Sequence, residues 1–399
     1  MALVSGVQKR VVLSKETTWG VKPATNTGTE LRRVTAEFNL ERASFQSAEI
    51  TSTAQTSDFR LGTDSVSGTL SGELSCASYK DIWASLLRGT WTAGATTTAT
   101  TIAAAAGKLT RSAGSWITDG FKAGDLITVT GFTASAAANN RNWLVTSVTA
   151  TDLSIAVANG VNLVTKAAGD SVTVAVAGKK LSVPIDLASR TNESYTVEEY
   201  LAPSNEAYLT TGVKFGAASV KVQPNQINTV EFSAMGRTQE LKDTPGAYFT
   251  SPAPAATTGV FSGNKGIILI NGVVQGVVTA ADFEINGNIE ASEVVGQRQA
   301  ADISLGRISA TGEISVYYED GSIYNKFKNE EDVAIVLYFE ADAGEYMVFK
   351  FPRVKLGGAS RDDKEVGSII QKLPFTALLP KTAVAGVEQS TVVIQDSLA

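Results

Sequence analysis

A chain that carries one pattern twice is constrained to fold into two like modules. Residues 34–71 of this chain align with residues 278–315 without a gap, at a constant offset of 244. Val34-Thr35-Ala36 matches Val278-Thr279-Ala280, and Glu49, Gln55 and Asp58 match Glu293, Gln299 and Asp302. Leu61, Gly62, Ser65, Gly68 and Ser71 then match Leu305, Gly306, Ser309, Gly312 and Ser315. Unrelated hairpins of like composition rarely keep glycine and serine in register over such a length. Two copies of one module in a chain suit a ring or an array.

At 399 residues the chain has room for about two or three domains with cores of their own. Charged residues are 19% and hydrophobic residues 43%, which excludes a disordered chain. Short alternating runs rich in Thr, Ser, Ala, Gly and Val indicate a mostly-β protein. A net charge of −6 argues against binding nucleic acid by phosphate neutralisation. It is compatible with a surface that nucleic acid slides past, because repulsion prevents sticking. No run approaches the roughly 18–20 apolar residues of a membrane span, and Met1–Val7 lacks the pattern of a secretory signal. The single cysteine, Cys76, permits no intrachain disulfide, fits a reducing compartment and reads as a small packed residue. Histidine is absent. That removes the commonest general base and metal ligand together with every Ser-His or Cys-His dyad, so no metal or cofactor is expected.

Residues 1–30 read as a polar, turn-rich N-terminal arm with one apolar run, Val11-Val12-Leu13. A strand over 31–43, a polar excursion over 44–58 and a long strand over 59–74 follow. Tyr79, Ile82, Trp83, Leu86 and Leu87 share one face of a helix, with Ser78 as the expected N-cap and Gly89 as the stop. After the second copy, Ile323, Tyr324 and Phe327 indicate a shorter helix beyond Asp320. Residues 92–180 have no counterpart in the second copy; their turn signals every ten or so residues suggest an inserted barrel or sandwich of about five or six strands. Three strands then follow the helix in each copy. The predicted architecture is two tandem β-sandwich or barrel domains, each with one short helix, plus a small inserted β-barrel. The first domain is discontinuous (31–91 and 181–240) around the insert (92–180). A linker spans 241–258, the second domain 259–385, and a C-terminal arm 386–399.

No P-loop, dinucleotide fingerprint, Ser-elbow, EF-hand or CxxC pair is present. The carboxylate runs Glu198-Glu199, Glu330-Glu331-Asp332 and Arg361-Asp362-Asp363-Lys364 lack a tyrosine or histidine arrangement that would make them catalytic, so no catalytic residue is expected. The two excursions occupy the same place in each copy. Gln46, Glu49, Thr51, Gln55 and Asp58 in the first, and Glu290, Glu293, Gln297, Gln299 and Asp302 in the second, are candidate inter-subunit or inter-ring contacts. Solvated hairpin tips are the alternative. Leu61, Gly62 and Gly68, with Leu305, Gly306 and Gly312, define the repeated strand.

The runs Ser47-Ala48-Glu49-Ile50, Thr56 to Gly62, Val66 to Leu74 and Tyr79 to Trp91 together resemble the major tail tube proteins of long-tailed, siphovirus-like bacteriophages. The shared features are an acidic loop, an Arg-x-Gly strand, a V-x-G-x-L-x-x-E-L strand and a helix that ends in a Gly-Trp segment. The stretch from Gly114-Ser115-Trp116 to Gly131-Phe132 is similar to a module that these proteins often carry. The resemblance implies tube domains whose inner sheets join between subunits around a lumen for DNA. With two such domains per chain, it implies trimeric rings of pseudo-sixfold symmetry, with the insert outside. The implied partners are other copies, tail tip or baseplate proteins, a tail terminator, and a tape measure protein and DNA in the lumen, with no membrane. The implied place is the virion tail, assembled in the host cytoplasm. A tail terminator, a decoration protein or a carbohydrate-binding β-sandwich are the alternatives.

Overall fold

The computed structural model describes residues 4–50, 52–157, 161–342, 344–362 and 367–399. The chain is mostly β, and period-2 burial explains why. In β2 (Thr35–Gln46), Ala36 and Phe38 turn inward while Thr35, Glu37 and Asn39 face out. β3 (Phe59–Glu73) answers with Val66, Gly68 and Leu70 inward. Glycine is required at 68 because a Cβ there would lie 2.2 Å from the Phe38 ring.

The first unit completes itself after the insert with β5 (Tyr195–Leu201), β6 (Glu206–Lys221) and β7 (Thr229–Gly236). Strand β6 changes sheets along its length. Its first half pairs with β5, and Lys214–Lys221 pair with β7. The resulting inner sheet has the order β2-β3-β7-β6. The second unit is built the same way from β9 (Val278–Asn286), β12 (Ser309–Tyr317), β13 (Val333–Glu340), β14 (Tyr346–Leu356), β15 (Ser360–Asp362) and β16 (Ile370–Ala377). Its inner order is β9-β12-β16-β14, with β15 extending the last strand along β16. Even the irregularities correspond, since β5–β6 shifts register between Tyr195 and Val197, and β13–β14 between Val333 and Ile335. The two inner sheets join where Ala217–Val220 of β6 pair with Phe283–Asn286 of β9.

One correction concerns alignment. Gly68 stands opposite Phe38, but Gly312 stands opposite Phe283, not Asp282. The first strands therefore correspond at an offset of 245, which places Ala36 and Phe38 with the buried Ala281 and Phe283. The match of Val34-Thr35-Ala36 to Val278-Thr279-Ala280 is one residue out of register, and such a slip would turn the core face to solvent.

Two segments read as arms are strands. β1 (Lys9–Lys15) pairs with β5 along its whole length, and Val11, Val12 and Leu13 are buried. It stands to the first unit as β8 (Gly266–Ile270), paired with β13, stands to the second. At the other end, β17 (Val393–Asp396) lies between β14 and β4 (Lys179–Ser182). The apolar run Val392-Val393-Ile394 drives that burial.

Helix α1 (Lys80–Leu87) buries Tyr79, Ile82, Trp83, Leu86 and Leu87, and also Ala84 and Ser85, so it is enclosed rather than one-faced. Tyr79 occupies the N-cap in place of Ser78, and the left-handed Arg88 ends the helix. Trp83 lies edge-on to Phe232 of the first unit (5.0 Å) and to Phe349 of the second (5.6 Å), within one core shared by both. The counterpart helix α2 (Ser322–Lys328) buries none of its residues.

The insert forms a sheet of seven strands between Thr96 and Val176, rather than five or six, around Trp116, Phe121 and Trp143. It leaves the first unit but packs on the second. Leu126, Leu144 and Ala177 meet Val336, Tyr338 and Val348 in a separate apolar cluster. Gln395 of β17 clamps the seam, accepting from Leu126 N–H (3.0 Å) and donating to Leu126 O (2.8 Å) and Ala177 O (2.6 Å).

Candidate assembly interface

Two hairpin tips project from the inner sheets, and the chain uses them differently. The first extends β2 and β3 as far as the Gln46–Phe59 pair, and its described tip residues other than the half-buried Ser47 are exposed. Gln46, Glu49 and Gln55 are exposed, and Asp58 accepts from Arg60 Nε at 2.9 Å. Thr51 lies outside the described residues. The second hairpin is β10 (Ile289–Ser292) paired with β11 (Asp302–Leu305). Glu290, Glu293 and Gln297 are exposed, and Gln299 is half-buried.

The second tip rests on the first unit. Glu293–Arg298 and Leu61–Thr63 line one cavity, and Asp64 N–H donates to Arg298 O at 2.6 Å. At the hairpin base, Lys214 of β6 reaches Asp302 Oδ1 (3.3 Å) and Ile303 O (2.7 Å). Arg88 donates to Gly306 O (2.5 Å) and Gly287 O (2.7 Å), tying the end of α1 to the same base. Gly312 pairs with both Phe283 and Phe375, as Gly68 does with Phe38 and Ala234.

Sequence reasoning missed Lys214 and the motif around it. Val213-Lys214-Phe215-Gly216-Ala217-Ala218-Ser219 corresponds to Val354-Lys355-Leu356-Gly357-Gly358-Ala359-Ser360 at an offset of 141. In the first unit this segment makes the junction with β9. In the second, Ser360–Asp362 pair with β16, and the opposite side carries no strand among the described residues. The other free edge is β2, which among the described residues pairs only with β3. There, Lys9 Nζ donates to Ala36 O and Gln239 Nε2 to Phe38 O, both at 2.6 Å, which blunts that edge.

The solvent face of the joined sheet is polar and acidic. Glu37, Glu41, Glu231, Glu284 and Glu313 face out with Ser65, Ser67 and Thr69, against Lys221 and Lys372.

Several carboxylates of these runs are held by cations or backbone donors. Glu198 accepts from Arg10 Nη2 (3.1 Å) and Phe249 N–H (3.2 Å), and Glu199 pairs with Lys9. Burial raises the Glu199 pKa, with Lys9 opposing. Arg353 and Lys355 hold Asp332 at 3.0 Å each. Asp363 and Lys364 lie outside the described residues. Where the insert meets the second unit, Asp125, Lys180, Lys350 and Glu388 form a buried cluster, with Lys350–Asp125 at 2.6 Å and Lys180–Glu388 at 2.6 Å. Burial pushes the Glu388 carboxyl up, but Lys350 and Lys180 outweigh it and hold the pKa at about 2. Burial also takes the Cys76 thiol up to about 12, so it is not a reactive thiolate. No group of acidic or cysteine side chains among the described residues could hold a metal. No helix among them is long and apolar enough to cross a membrane.

A family model described as phage tail tube protein matches residues 6–377, from β1 through the insert to the end of β16. Comparison with curated proteins returned no significant match.

Proposed function

This chain belongs to the phage tail tube protein family, and on that premise we propose that three copies close into a ring of six tube domains around a lumen for DNA. Membership makes the chain a structural component of the virion, one that assembles with itself and meets other tail components. The ring, its threefold symmetry and the descent of the two units from a duplication are our extension of that. The β6–β9 junction carries it. The chain already joins two four-stranded inner sheets edge to edge, and the segment that does so recurs, unpaired on that side, at Gly357–Arg361. Repeating the junction between β14–β15 of one copy and β2 of the next, with Lys9 and Gln239 releasing the Ala36 and Phe38 carbonyls to the incoming strand, propagates the sheet, and closure removes its free edges.

In this arrangement the first tube domain is interrupted by the insert and the second follows residue 258. The acidic, serine- and threonine-rich face lines the lumen and lets DNA pass without binding. The insert, docked on the outer sheet of the second unit, stands outside the tube three times per ring. Rings stack into a siphovirus-like tube that meets the tail tip, the terminator and a lumenal tape measure protein, and assembles in the host cytoplasm. Negative-stain electron microscopy of the purified protein tests this. Hollow tubes or rings with threefold end views are expected. Dispersed single copies at high concentration, with or without tail tips, would overturn it in favour of a decoration protein.

A further inference from the structure

We propose that the first hairpin of each copy docks on the second unit of its neighbour, seating Ile50 in the cavity beside Ile308 and pairing Asp58 with Lys355. This rests on the ring described above. The chain displays half of the contact internally: the second hairpin covers Leu61–Thr63, Asp64 N–H bonds Arg298 O, and Lys214 holds Asp302. Every participant has a counterpart. Asp64 and Arg298 correspond to Ile308 and Ala54, Asp302 to Asp58, and Lys214 to Lys355.

These counterparts do not meet within the chain. Asp58 turns to Arg60, and Lys355 to Asp332. The site that the first hairpin would cover is open instead. Around Gly306–Ser309 lies a cavity of about 580 Å³, walled by Val183, Pro184, Ile185, Ile308 and Leu379. Its charged lining residues are Arg190 and Arg307. The tip that would enter carries the fully exposed Ile50 beside Glu49, so an apolar side chain faces an apolar wall and a carboxylate faces Arg190 and Arg307.

Ring order agrees as well. Within the chain the second unit's hairpin reaches back across the β6–β9 junction. At the junction between copies, the hairpin that springs from the neighbour's β2 reaches back onto β11–β12. The chemistry selects one occupant, a second copy of this chain.

Two sets of variants test this. Asp58→Lys and Lys355→Asp should each raise the critical concentration for assembly, by roughly tenfold for one lost and one reversed ion pair. Their combination should restore it, and melting of the unassembled chain separates this rescue from the loss of the Lys355–Asp332 pair, which the combination does not repair. Ile50→Cys with Leu379→Cys, treated with a short bismaleimide, should give covalently joined chains up to three on a denaturing gel, while either single variant gives none. Cys76 is buried and shielded from the reagent. Rings seen by microscopy without cross-linking or charge rescue would overturn the docking and leave the ring standing. Absence of rings in the unmodified protein would overturn both.

Discussion

Replacing Ala359 with proline removes one backbone donor from the junction proposed to close the ring. The magnitude follows from the copy of that junction inside the chain. There Ala281 N–H donates to Val222 O at 3.1 Å, and the alternation of an antiparallel ladder makes Val220–Phe283 and Ala218–Ile285 hydrogen-bonded pairs too. Ala359 corresponds to Ala218, and Leu40 to Ile285, so Ala359 N–H is the expected donor to Leu40 O of the next copy. Proline deletes that bond and leaves the carbonyl buried without a partner, at about 1–3 kcal/mol per junction. For addition of one subunit, the critical concentration should rise roughly 5- to 150-fold. Light scattering against protein concentration measures it, and melting of the unassembled chain controls for folding. Ala218→Pro is the matched comparison. It strikes the junction inside the fold and should lower the melting temperature, whereas Ala359→Pro should not. Assembly of Ala359→Pro at the wild-type critical concentration would refute the edge-to-edge closure.

Lowering the pH should weaken the seam between insert and second unit. The folded pKa of Glu388 lies near 2, below its ordinary 4.5, so its stabilisation is full above that ordinary value and is lost as pH falls toward about 2. Melting of wild type against Glu388→Gln should show a gap of roughly 3 kcal/mol near pH 6 that shrinks to about 1 kcal/mol or less by pH 2.5; a gap independent of pH would sink the assignment. Trp83→Ala should cost about 3–5 kcal/mol by chemical denaturation, since it empties a site packed by aromatic rings from both units; a loss under about 1 kcal/mol would show that the two units do not share a core there. Replacing residues 95–177 with a short linker should cause aggregation, because Val336, Tyr338 and Val348 lose their cover and the buried Lys350 loses Asp125. A monomeric, stably folded deletion would show the insert to be dispensable for the fold.

The sequence made some elements legible because their signal is local. Alternation over 35–46 and 59–73, the apolar face of 79–87, and a break in the repeat at the insert are all visible without partners. What escaped was non-local. β1 is a seven-residue strand whose partner Leu201 lies far along the chain, so Val11-Val12-Leu13 looked like an isolated run in an arm. The junction motif was missed because the insert lengthens only the first unit, so the offset between copies falls from 244 to 141 and a constant-offset comparison stops short of it. The Val-Thr-Ala match misled for the opposite reason, since three small residues agree by chance while the pairing of Phe38 with Gly68 and Phe283 with Gly312 sets the true register. Lys350 carries no sequence signal at all. On a strand it reads as a solvated lysine, and only the docked insert and the C-terminal segment make it the centre of a buried cluster.

Holding two tube domains in one chain changes the energetics of closure more than its geometry. A ring of six separate domains loses translational and rotational freedom for every domain, at roughly 4–15 kcal/mol each. A ring of three double chains meets that cost for half as many bodies, while the β6–β9 ladder, the Lys214–Asp302 pair and the shared packing around Trp83 come with folding. Fusion also frees the two units to differ. On the outer sheet of the first, Glu198 is held by Arg10 and by the Phe249 N–H of the segment between the units. The corresponding face of the second, where Val336 stands in place of Glu198, is apolar and takes the insert instead. A hexamer of identical domains would have to carry the insert six times or not at all. In the proposed trimer the double chain carries it three times, and the added domain, inserted in the first unit and packed on the second, adds to the contact between its own two halves.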